Sequence, residues 1–410
     1  MHKYRVLSLL AVCALISSCQ TPSVSLSEES TSVSDPSIDT SDTSPSISYI
    51  DDSTVSVDPS DTPLEIYVME MINYYGDSIY MKYGDYDILI DAGWATDGTR
   101  INTFLKGKMS DDTIDLLIAT HPHSDHVAGI SNAVSGLKVK TILDYGVSEG
   151  TSSYLNKRNS LVSSGTTWIK YYNAIYKQNG ANNRYILAGD LKLTILDSGD
   201  WNQNGTYIYS DNATSVATLF SLRDFTFLTM GDCTGDCEHY MVNNEPLLPR
   251  NVSMFKMDHH GSSSTEGSYD GSEGSGSGKY QTNSSEFLNY INPKTVVVSA
   301  SRPLDYSKAS SGQAQDYSVN KTCDGAHPSS YALHRVYSTP SISQSKNVYW
   351  NMYAGTMCFS SDGRDIALPM SGLGPKLGYY ENASASEKVS GENNLRLHET
   401  KIWLMRGYYM

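Results

Sequence analysis

IDLLIATHPHSDHVAG, Ile114 to Gly129, decides the fold: an apolar run ends at Thr120 and passes straight into His121, Pro122, His123, Ser124, Asp125 and His126. The chain has only 10 histidines in 410 residues, yet three of them and an aspartate share this short turn. Imidazole and carboxylate are ligands that suit Zn²⁺ and related ions, and a turn at a strand end lets alternate residues face two adjacent metals. The spacing H-x-H-x-D-H therefore encodes two half-sites, with His121, His123, Asp125 and His126 as candidate ligands.

Working outward, short β-rich runs ending in turn residues alternate with helical stretches. Strands are predicted at LEIYVME from Leu64, DSIYMKYG from Asp77, YDILIDAG from Tyr86 and TIDLLIAT from Thr113. Others are predicted at Val139–Leu143, Leu191–Leu196, Ser215–Ser221, Phe225–Met230, Val252–Met257 and Thr295–Ala300. Helices fit Val127–Val134, Glu238–Val242, Glu286–Ile291 and Ser329–Val336. Early hairpins followed by strand and helix alternation suit an α/β four-layer αββα sandwich better than one parallel sheet. Two polar stretches, Gly267–Asn283 and Arg302–Gly325, read as surface insertions. After Val336 a strand or two, through Tyr349 and Gly355 to Phe359, is expected to complete the second sheet. No internal repeat is visible, and residues 366–410 form a tail without a structural assignment.

The first 19 residues place Lys3 and Arg5 before an apolar run from Val6 to Ile16, then Ser17, Ser18 and Cys19. That run is too short to span a membrane, which takes about 20 apolar residues, so it reads as a cleaved export signal. Its end resembles the lipobox of bacterial lipoproteins, which implies lipidation at Cys19 and a protein held on the outer face of the cell membrane. Residues 20–62 are rich in Ser, Thr, Asp and Pro without Lys or Arg, and read as a disordered tether ahead of a folded domain over residues 63–365. Setting aside the tether's nine carboxylates and the leader's two positive charges takes the net charge from −15 to −8. An acidic domain gains little from counterion release on DNA, so a nucleic-acid substrate would have to be gripped locally. Cys233, Cys237, Cys323 and Cys358 remain for an oxidising compartment, where their pairing stays open. One hypothesis is a clamp joining Cys323 to Cys233 or Cys237; a structural pair elsewhere is the other.

The loop His121–His126 resembles the signature of the metallo-β-lactamase superfamily, in which the first two histidines serve one metal and the aspartate and last histidine the other. Asp91 in ILIDAG resembles the aspartate that supports this loop, and Asp232 in TMGD the carboxylate that bridges both ions. DHHGS, from Asp258 to Ser262, resembles the segment supplying the second metal's last histidine, assigned to His260, with His259 behind it. More narrowly, Asn212 to Val216, Met230 to Asp232, His259 to Ser262 and the pair His327-Pro328 resemble the hydrolase domain of ComEC-type competence DNA-uptake proteins and their free-standing relatives. One departure stands out: many members supply a third histidine to the first metal, yet no histidine lies between His126 and His239. His239, His334 and His398 read as surface or structural residues.

The resemblance implies two divalent ions, zinc or, at the poorer first site, manganese, with a water acidified between them as nucleophile. Asp125 and Asp232 would serve the reaction as ligands, and His327 would donate a hydrogen bond to the leaving or non-bridging oxygen. The substrate implied is a phosphodiester, in DNA or in a cell-surface polymer, and no protein partner is implied. The rivals are a lactone, thioester or β-lactam hydrolase, and a surface protein that uses the fold only for binding.

Overall fold

The computed structural model describes residues 50–51, residues 62–365 apart from 73–74, 208–209, 266–278, 301–326, 346 and 352–354, and residues 368–369. The leader with Cys19, nearly all of the tether, the insertion around residues 302–325 with Cys323, most of the Gly/Ser-rich insertion and all of the tail except residues 368–369 lie outside the described residues.

The strands are β1 (Ile50–Asp51), β2 (Leu64–Val68), β3 (Ile79–Tyr83), β4 (Tyr86–Ile90), β5 (Thr113–Ala119), β6 (Lys138–Asp144), β7 (Thr167–Lys170) and β8 (Arg184–Ala188). There follow β9 (Leu191–Leu196), β10 (Ala217–Leu222), β11 (Phe225–Thr229), β12 (Met254–Lys256), β13 (Thr295–Val298), β14 (Val348–Trp350), β15 (Met357–Ser361) and β16 (Leu368–Pro369). One sheet has the order β16-β15-β2-β3-β4-β5-β6-β7, the other β1-β8-β9-β10-β11-β12-β13-β14. Both are mixed in the same way. An antiparallel meander, β2-β3-β4 or β9-β10-β11, gives way to three parallel strands, β5-β6-β7 or β12-β13-β14.

Side-chain alternation along the strands builds the layers. In β10, Phe220 and Leu222 enter the core shared by the two sheets, while Ala217 and Leu219 face the other way; in β13, Val297 points inward and Val296 and Val298 outward. The outward set meets the helices Gly235–Asn244, Ser285–Ile291, Ser330–Ser338 and Pro340–Ser345 through Met241, Phe287, Leu288, Ile291, Leu333, Val336 and Ile342. On the first sheet the helix Gly98–Lys106 buries Ile101 and Leu105, four residues apart on one face, and packs on the helix Ile130–Ala133. The result is helix, sheet, sheet, helix. Each large apolar side chain so buried contributes about 1.5–3 kcal/mol.

Several local expectations change. The single helix predicted over Val127–Val134 is two short ones, Ser124–Val127 and Ile130–Ala133. Gly129 sits at the break, and a Cβ there would lie 2.0 Å from the Ala92 carbonyl, so the chain is pinned to the neighbouring loop where a continuous helix would run. β14 completes the second sheet as expected, but β15 does not join it: it pairs antiparallel with β2 in the first sheet. There Met357 and Phe359 fill the core between the sheets, and the otherwise open edge of β2 is covered. Within the stretch read as a tether, Ile50 and Asp51 pair in parallel with Tyr185 and Ile186.

Candidate metal centre

The candidate residues gather where strands of both sheets end. β4 runs into Asp91, β5 into the loop His121–His126, β11 into Asp232 and β12 into His259 and His260. Asp91 adopts a left-handed φ of 54°, which Asp tolerates better than most residues. This turns its carboxylate under the loop, where Oδ1 accepts from the Thr120 amide at 2.8 Å and Oδ2 from the Thr120 hydroxyl at 2.6 Å. Gly231 precedes Asp232 at φ 54°, and a Cβ there would press to 2.8 Å on Thr120. The Ser215 hydroxyl accepts from the Asp232 amide at 3.0 Å.

One oxygen, Oδ2 of Asp232, is the common vertex. It lies 3.2 Å from Nε2 of His126 and 3.2 Å from Nε2 of His260. Oδ2 of Asp125 is 3.2 Å from His260 Nε2 and 3.7 Å from His126 Nε2. On the other side, His121 Nε2 is 3.8 Å from the shared oxygen and 3.1 Å from Nδ1 of His123. A tetrahedron with bonds of about 2.1 Å has edges of about 3.4 Å, so these separations match those between donor atoms around a four-coordinate ion.

The outward hydrogen bonds give the donor chemistry. His126 Nδ1 donates to Asp91 Oδ2 at 2.8 Å, His260 Nδ1 to the Ser299 carbonyl at 2.9 Å, and His121 Nδ1 to the Thr120 hydroxyl at 3.1 Å. Each therefore turns an Nε2 lone pair inward, and those of His126 and His260 face each other across 3.2 Å. Two lone pairs repel at that distance unless a cation or a proton lies between them. The donor set, all nitrogen and oxygen, fits a divalent ion. Burial opposes charge on His126, but Asp232, Asp125 and Asp91 raise its pKa to about 10. His260 is likewise raised against its burial by Asp232 and Asp77. Asp232 is held well below the usual carboxylate range: burial opposes this, and His126, His260 and His259 outweigh it. Burial, with His126 beside it, drives His121 well down.

Residues 72–148, which hold both the Asp91 turn and the H-x-H-x-D-H loop, match the family model of the metallo-beta-lactamase superfamily. This is a metallo-beta-lactamase fold. Among solved structures, the metallo-beta-lactamase fold protein YhfI from Bacillus subtilis is 15% identical, over 73% of this chain and 100% of that one, with a TM-score of 0.42. Human tRNase Z, short form, is 14% identical over 58% of this chain and 92% of its own, with a TM-score of 0.33. CmlA, a diiron beta-hydroxylase from Streptomyces venezuelae, is 13% identical over 60% and 45%, with a TM-score of 0.34. No curated protein matches the chain.

Within this metallo-beta-lactamase fold, two residues at the centre escaped sequence reasoning. Asp77, His126, Asp232 and His260 each offer a donor atom within 4.8 Å of the others. Asp77, however, approaches His260 from behind the ring, with Oδ1 3.3 Å from Nδ1, and its other oxygen pairs with Lys256. It orients His260, as Asp91 orients His126, while Asp125 presents its oxygen to the Nε2 atoms. Lys256 is fully buried; its Nζ donates to the Gly231 carbonyl at 2.8 Å and stands 3.9 Å from Asp232 Oδ1. Burial opposes charge on Asp77, yet the Lys256 ammonium keeps its carboxyl well below the usual range. Breaking so buried a pair costs about 3–5 kcal/mol. The available signal was a lone lysine inside the apolar strand run Val252–Met257, since a buried cation needs a partner.

The fold brings the remaining candidates to the solvent side of the centre. His123, His259 and His327 are half-buried there. His259 Nε2 is 3.7 Å from Asp232 Oδ2, and the His327 ring lies 4.7 Å from that of His259 and 5.4 Å from Tyr75. Asp211 Oδ2 stands 3.8 Å from His123 Nε2. His239 lies apart, stacked on Tyr280 and bonded to Glu286 at 2.7 Å. Cys233, Cys237 and Cys358 are buried, and among the described residues no disulfide joins them.

Proposed function

We propose that this chain is an exported, lipid-anchored, metal-dependent hydrolase of phosphodiester bonds. The observation that carries the hydrolase reading is the convergence of two donor sets, drawn from both sheets, on Asp232 Oδ2. His121 and His123 would hold one ion, Asp125, His126 and His260 the other, and Asp232 both. When bound, the ions supply Lewis acidity to a substrate oxygen and acidify a water towards neutrality. The protein's own part is to fix the ligand lone pairs through Asp91, Thr120, Ser299 and Asp77, and to place His327 on the open side, where its imidazole can donate a hydrogen bond to the departing oxygen.

Phosphodiester rather than carbonyl chemistry is favoured by the HHGS and His327-Pro328 segments, which resemble the ComEC-type branch. The acidic domain argues for a local grip on the phosphodiester, as in a cell-surface polymer or a nucleic-acid end, over a long basic groove. The leader ending at Cys19 supports lipid attachment outside the cell membrane. The test is turnover by the purified protein loaded with Zn²⁺ or Mn²⁺, offered bis-p-nitrophenyl phosphate, a lactone, and single- and double-stranded DNA side by side. Cleavage of a phosphodiester with the lactone untouched is expected; selective turnover of the lactone would overturn the substrate class.

A further inference from the structure

No histidine between His126 and His239 can complete the first ion's ligand set. The dipeptide His259-His260 offers another source. Both residues are left-handed, with φ/ψ of 46°/54° and 52°/24°. Two successive side-chain-bearing residues in that region are costly, and the conformation persists only where surrounding structure enforces it. Here it is held by the His259 amide donating to the Gly231 carbonyl and the Ser262 amide donating to the His259 carbonyl. Its effect is to splay the adjacent rings, with centroids 6.0 Å apart at 67°, while both aim Nε2 at the same oxygen of Asp232. For His260 that distance is 3.2 Å, on the side of Asp125 and His126. For His259 it is 3.7 Å, matching the 3.8 Å of His121.

We propose that His259 is the third imidazole of the first ion, in place of the outer position expected from its sequence. Each member of the His259-His260 pair then serves one ion, as the two halves of the loop His121–His126 do. The splay suits ions about 3.5–4 Å apart. The chain thus replaces a histidine from elsewhere in the sequence with one adjacent to the second ion's own ligand.

The inference rests on the metal centre proposed above, and metal stoichiometry separates the two. The full chain and the variants His259→Gly, His259→Asn and His260→Gly are stripped with chelator, dialysed against Zn²⁺ and analysed for bound metal, with affinities from calorimetry. Gly and Asn both tolerate the left-handed backbone, so the metal-free His259 variants should keep the parent's fold, whereas metal-free His260→Gly, which loses a buried ring and its carboxylate partners, should melt lower. The parent should hold two ions. Both His259 variants should keep the second ion with its affinity within threefold and bind the first at least 100-fold more weakly. His260→Gly should show the reverse pattern. Two ions of unchanged affinity in the His259 variants would overturn this assignment alone, whereas a parent chain that takes up no ion would overturn the metal centre and the assignment together.

Discussion

Replacing Asp232 by Asn tests the centre at its shared vertex. The change is isosteric, so the fold should survive, but the carboxylate's Oδ2 lies 3.2 Å from two Nε2 atoms and 3.8 Å from a third. An amide oxygen in that place lacks the negative charge, and its nitrogen must then face the Lys256 ammonium, which stands 3.9 Å from Oδ1. Four ligands together hold a structural zinc by about 10–16 kcal/mol, so one contributes about 3–4 kcal/mol, and its loss weakens binding by about 100- to 1,000-fold. Because the oxygen is shared, both ions suffer. At a free zinc concentration 100 times the parent's dissociation constant, binding stabilises the parent by about 2.7 kcal/mol and a 100-fold weaker variant by about 0.4 kcal/mol. For a domain of this size that difference removes about 5–9 °C of the metal-induced rise in Tm. Calorimetric melts with and without chelator, alongside metal analysis, read it directly. A variant that keeps both ions with affinities within threefold would refute the shared vertex.

Further outcomes follow from the same geometry. In the chelated protein the raised pKa of His126, about 10, gives stability that is full below its ordinary value and lost as pH climbs towards 10, while the depressed Asp232 and Asp125 give stability lost in acid. His121, driven down by burial, gives stability that is lost as pH falls below its ordinary value, so the chelated protein should melt highest at about pH 6.5. Metal must displace the His126 proton, so zinc affinity should rise up to tenfold per unit from pH 6 to 8, and a metal-induced Tm gain that shrinks over that range would count against the site. Gly129→Ala drives a Cβ to 2.0 Å from the Ala92 carbonyl and should cost about 3 kcal/mol or more in urea unfolding; a loss under 1 kcal/mol would mean that the loop yields. Cys19→Ala should release the protein from membranes into the medium, and unchanged retention in fractionated cells would remove the lipid anchor.

The sequence by itself determined whatever is written locally. Three histidines and an aspartate in one turn are close in space under any fold, and the alternation of apolar residues in runs such as LKLTIL, Leu191 to Leu196, marks a strand before any partner is known. Those signals made the αββα architecture plausible and supplied the ligand candidates of the loop His121–His126, whereas Asp232 and His260 came from the resemblance of their segments to a known family. Tertiary structure alone decided the pairings between distant segments. β15 has the composition of a strand for either sheet, and only the open edge of β2 determines which one it joins. Asp77 and Lys256 look like ordinary strand-end residues until two sheets press a buried ammonium and a buried carboxylate together. The direction of the His259 ring depends on two left-handed residues held by the Gly231 carbonyl. Burial, charge pairing and strand partnership belong to segments far apart in the chain, so no local reading of residue types could supply them.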